Sequence, residues 1–98
     1  MTYTLTDKLK FTEKPKLTIK DVTVTIDNSA TTVLELMDIV QNKGEIAGAT
    51  AIFDLLLNDR DRKKITSLNL SIDDFVTVCQ VMMDLALGND PDSEKSGE

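Results

Sequence analysis

The sequence predicts an α+β domain that is mostly α: an N-terminal β-hairpin, three main helices and a disordered acidic tail. Three observations carry this reading. In the first third of the chain, apolar residues recur at every second position. From Ser29 onward they recur at helical spacing. After Gly88 no aliphatic or aromatic residue remains. The 98 residues suffice for one small domain, placed at 1–88, with the tail at 89–98.

The first apolar positions, Tyr3, Leu5, Leu9 and Phe11, alternate with Thr and Lys in a strand-like period of two. Pro15 separates that stretch from the next. Leu17 and Ile19 lie on odd positions, whereas Val22, Val24 and Ile26 lie on even ones. A two-residue turn at Lys20–Asp21 absorbs this shift, pairing Ile19 with Val22 and Leu17 with Val24. Thr18 then faces Thr23 on the other side. The turn lacks the preferred Gly, so a bulge within one longer strand is the alternative. A sheet this small needs helices against its apolar face.

Ser29 is placed to cap a helix running to about Asn42, with Val33, Leu36, Met37 and Val40 as its apolar stripe. Gly44 ends it. Glu45 opens a second helix with Ile46, Ala49, Phe53 and Leu56 in line and Ile52 and Leu55 beside them. Residues 58–68 form a short helix or ordered loop, capped by Asn58 and anchored by Ile65 and Leu68. Ser71, with Asp74 three residues on, opens the most apolar helix. A polar strip of Asp73, Thr77, Gln80 and Asp84 runs along it as far as Leu87, and Gly88 stops it.

That last helix is apolar over roughly twice the ~100° a surface helix needs. Either it is the central helix, or one flank is left for another chain. Ile72, Phe75, Cys79, Met82 and Ala86 are assigned to the core. Val78, Val81 and Leu85 form the flank expected to contact another protein, a second copy or a helical client.

Composition excludes much chemistry. There is no His and one Cys, so His-based catalysis, intrachain disulfides and multi-cysteine zinc sites are out. No cofactor or metal site is expected. Aromatics are 4% of the chain, so the core is aliphatic. The uncharged runs are too short for a membrane span, and nothing at the N-terminus resembles a signal peptide; the chain reads as cytosolic. A net charge of −6 opposes nucleic-acid binding. Only residues 59–68 are basic, and there Arg60, Arg62, Lys63 and Lys64 alternate with Asp59 and Asp61.

Individual motifs fail their tests. A calcium loop starting at Asp59 would need Gly and Glu where Lys64 and Leu70 stand. Asn69-Leu70-Ser71 is a chance sequon. Gly44 and Gly48 have membrane helix-pairing spacing in charged surroundings. Cys79, on an apolar face, reads as an inert buried thiol. Asp73 and Asp74 are adjacent and do not converge on one substrate. No nucleophile–base pair exists, so the chain is not expected to be an enzyme. A helix-turn-helix regulator is the alternative reading, but the helix from Ser71 has no Lys or Arg to read bases. A generic protein–protein adaptor is another.

The outline of hairpin 16–27, the segment Thr32-Val-Leu-Glu-Leu-Met-Asp-Ile-Val40, a middle helix and Ser71–Gly88 with a polar tail resembles the tail assembly chaperones of long-tailed bacteriophages and prophages of Gram-positive bacteria. The resemblance covers residues 16–88 and rests on pattern, without a diagnostic motif. It implies a non-enzymatic, oligomeric helper in the host cytoplasm that is absent from the mature virion. Its implied client is the tape measure protein, kept soluble while tail tube protein assembles around it. It implies no catalytic residues, and many family members have a second, longer form made by ribosomal frameshifting.

Overall fold

A computed structural model describes residues 1–10 and 13–91. The elements are β1 (Lys16–Ile19), β2 (Val22–Thr25), α1 (Ala30–Asn42), α2 (Glu45–Leu56), α3 (Asp59–Thr66) and α4 (Ile72–Ala86). The α+β class, the hairpin and the three main helices are as the sequence predicts, and residues 59–66 resolve to a short helix.

The hairpin takes the two-residue turn and not the bulge. Leu17 pairs with Val24 and Ile19 with Val22. Thr18 and Thr23 share a hydroxyl hydrogen bond of 2.9 Å on the outer face. Val24 and Ile26 are fully buried, and Leu17, Ile19 and Val22 pack against the same core. The turn places Lys20 at φ 56°, in the left-handed region that a side chain occupies at a cost of roughly 1–2 kcal/mol.

The N-terminal stretch departs from its strand-like pattern. Residues 1–10 contain a single 3-10 turn at Thr6–Lys8 and no strand, and all of them are exposed. Alternation alone does not make a strand where no neighbouring strand supplies the hydrogen bonds. Phe11 lies outside the described residues, as does the predicted disordered tail from position 92 on.

Of the two roles open to α4, the central one falls to α2 instead, which packs against both α1 and α4. Its Ala49, Ile52, Phe53 and Leu56 are buried. Phe53 meets Phe75 of α4 edge-to-face at 5.1 Å, a geometry worth about 0.5–1.5 kcal/mol beyond the area it buries. From α4, Cys79, Met82 and Ala86 reach the core, but Ile72, assigned there from sequence, is 56% exposed because it sits in the first turn, beyond the body of the packing.

Helix ends follow their local chemistry. Ser71 Oγ accepts the Asp74 amide and Asn58 Oδ1 the Asp61 amide. Gly88, at φ 80°, closes α4: its amide and that of Asn89 donate to the carbonyls of Leu85 and Asp84. Ser29 occupies the cap position of α1, yet its hydroxyl bonds the Thr32 hydroxyl at 3.0 Å and no backbone amide. Asp27 organises this end instead, accepting the Ser29 amide at 3.0 Å and the Thr32 hydroxyl at 2.9 Å. The Ser29 amide bond is the main reason its carboxyl lies below the ordinary 3.8, against a smaller opposing effect of burial.

The strand β2 is bound to the helices through its backbone. The Thr25 amide donates to the buried carboxylate of Asp61 at 3.1 Å, and the Asp27 amide to the Leu56 carbonyl at 3.0 Å. Lys64 stands 3.6 Å from the other Asp61 oxygen.

Two predictions follow from these contacts. Asp61→Ala leaves the part-buried Thr25 amide without its acceptor and should cost about 1–2 kcal/mol. A fall in melting temperature of several degrees, larger than that of the neighbouring Arg60→Ala, checks it. Lys20→Gly removes the left-handed strain and should raise stability by roughly 0.5–1 kcal/mol, read as a higher denaturant midpoint at unchanged slope.

Candidate functional site

The apolar surface available to a partner lies mainly on α1. Leu34 is 68% exposed, Met37 49% and Val40 53%. Met37 and Val40 belong to the apolar stripe read from the sequence, and both face outward. Only Leu36 and Thr32 are buried on α1, with Val33 and Ile39 half-buried. At 100° per residue, Leu36 and Thr32 fall on one side and Leu34 on the opposite one. The helix therefore carries two apolar stripes, and α2 covers one.

The outer stripe runs Ala30, Val33, Leu34, Met37 and Val40, at spacings of three and four. Leu34, its most exposed large member, was missed by sequence reasoning that followed a single stripe; the spacing itself was the signal. Glu35 and Asp38 border Leu34 on the side away from Met37, and α1 holds no basic residue between Ala30 and Asn42.

At Val40 the stripe runs into an open groove of about 150 Å³ between the helices. Ile39 and Val40 of α1, Ala49 and Ile52 of α2, and Val76 and Met83 of α4 give it apolar walls. Gly48 keeps it open beside α1: a methyl group there would touch Lys43 Cβ at 3.8 Å.

Cys79 lies in this groove but is itself buried. Its S–H donates to the Ala49 carbonyl at 3.3 Å, and burial pushes the thiol up to about 11. At neutral pH it is a packed thiol, not a nucleophile.

The flank expected to make contacts, Val78, Val81 and Leu85, is half-buried, with Val78 and Leu85 packed against the core. Helical spacing puts it on the far side of α4 from Val76 and Met83, so the structure does not join it to the groove.

The basic segment is partly consumed internally. The Arg62 guanidinium donates to the carbonyls of Asp54, at 2.7 Å, and Leu57, and to the Asp59 carboxylate. It thereby satisfies backbone acceptors at the end of α2. Lys64 reaches the Thr23 carbonyl at 3.4 Å as well as Asp61. These two cations serve the fold.

Among the described residues, no group of three or more acidic, Cys or His side chains is placed to hold a metal ion, and no helix is long and apolar enough to cross a membrane. Compared with known protein families, curated proteins and solved structures, the chain matches none.

Cys79 should resist a thiol reagent such as DTNB at pH 8 in native buffer and react stoichiometrically once denaturant is added. Rapid native labelling would contradict the packing described for α2 and α4.

Proposed function

We propose that this chain is a non-enzymatic binding module that holds an apolar helical segment of another protein. The observation that supports this best is the outer stripe of α1. Leu34, Met37 and Val40 serve no core, and they lead directly into an apolar groove. Contiguous exposed apolar surface on a small domain is characteristic of an interaction site, and a helix laid in a groove is a common way to cover it. Met37 and Met83, unbranched and polarizable, suit clients of varied shape. The net charge of −6 keeps a protein displaying such a surface in solution.

The resemblance of residues 16–88 to phage tail assembly chaperones supplies the client. In this reading the bound helix belongs to a tape measure protein, which is kept soluble in the host cytoplasm until tail tube subunits surround it. The internal use of Arg62 and Lys64, and an α4 without Lys or Arg, favour this over a DNA-binding regulator.

Co-expression with the tape measure protein encoded in the same gene cluster tests the proposal. The wild-type chain should move that protein into the soluble fraction and co-purify with it. Met37→Asp combined with Val40→Asp should reduce the co-purified amount roughly tenfold or more while leaving the domain folded, since both positions are exposed. An insoluble client in the presence of wild-type chain would sink the reading.

A further inference from the structure

The α1 stripe is not the sole exposed apolar surface among the described residues. Another is the arm formed by residues 1–10. Tyr3, Leu5 and Leu9 are all exposed there, and the arm contributes no residue to the core. The two surfaces carry opposite charge. On the arm, Lys8 and Lys10 outweigh Asp7, whereas α1 offers Glu35 and Asp38 beside Leu34 with no basic residue between Ala30 and Asn42. A concavity lined by Thr31, Leu34, Glu35, Asp38 and Ile39 combines an apolar wall with an acidic rim, matching an arm in which Lys8 and Lys10 flank Leu9.

We propose that the arm of a second copy covers the Leu34–Met37 end of the α1 stripe, and that reciprocal exchange of arms closes the assembly as a dimer. Burying leucines against Leu34 and Met37 provides the attraction. Lys8 and Lys10 facing Glu35 and Asp38 fix the pairing between two chains that otherwise repel, each carrying −6. Reciprocal contacts give the two-fold closure that limits growth to two copies. The pairing shares the α1 stripe with the client surface proposed above, so it is measured without client, and its failure leaves client binding standing.

The test is sedimentation velocity of the full chain over a concentration series, with melting temperatures recorded alongside. The wild type should show a monomer–dimer equilibrium that weakens with added salt. Deletion of residues 1–10 and, separately, Leu34→Asp should each raise the dimer dissociation constant tenfold or more, with a melting temperature equal to that of dilute, monomeric wild type. Mixing those two variants should restore a one-to-one complex, because one supplies an intact arm and the other an intact α1. Lys8→Glu with Lys10→Glu should abolish the dimer, and adding Glu35→Lys with Asp38→Lys should recover it. A wild type that stays monomeric at every concentration overturns the proposal. So does an arm-deleted chain that still dimerises, which would point to α1 pairing with α1, and so does a failure of the charge reversal to rescue.

Discussion

Asp61, buried within α3, takes the Thr25 amide into its carboxylate, and with the burial of Val24 and Ile26 this contact ties the hairpin to the helices. A two-stranded sheet has little stability of its own. Here its second strand is fastened at successive points: Thr25 to Asp61, Ile26 to the Pro15 carbonyl at 2.8 Å, and Asp27 to the Leu56 carbonyl. The same residues that end the strand begin α1, since Asp27 also holds Ser29 and Thr32. Strand, α2, α3 and the start of α1 therefore meet around one short stretch of backbone. A buried carboxylate is tolerable there because an amide and an ammonium group both satisfy it.

Features set by local chemistry were legible in the sequence. The parity change between Ile19 and Val22 has one economical solution, a two-residue turn, and it gives the observed register. The caps at Asn58 and Ser71 and the stop at Gly88 follow from side chains and backbone freedom within a few residues. Features set by tertiary placement were not legible. On α1 both stripes are apolar, and only the docking of α2 decides that Leu36 turns inward and Leu34 outward. Asp61 sits among Arg and Lys residues and reads as solvated; its burial depends on a strand far away in sequence. The alternation of Tyr3, Leu5 and Leu9 lacks the neighbouring strand it would need. For the candidate site, sequence and structure draw attention to different helices. An apolar flank was expected on α4, where Val78 and Leu85 instead pack against the core, while the more exposed stripe belongs to α1.

Charge shows a similar divergence between sequence and surface. The segment 59–68 is the most basic part of the chain, yet Arg62 closes the end of α2 and Lys64 leans on the hairpin. Asp59 and Asp61 pair with those two cations, so Arg60 and Lys63 are what the segment adds to the surface. An acidic chain with an apolar stripe on α1 is better suited to a protein partner than to a polyanion.

The helix that carries the outer stripe is also lightly anchored. Leu36 is its one fully buried large side chain; Thr32 is buried beside it, and Val33 and Ile39 are half-buried. Any partner that covers Leu34, Met37 and Val40 adds apolar burial to this helix, and by mass action it shifts the folding equilibrium of the whole domain toward the native state. With such a partner, occupancy and stability are thermodynamically linked, and the uncovered protein is the less stable of the two states.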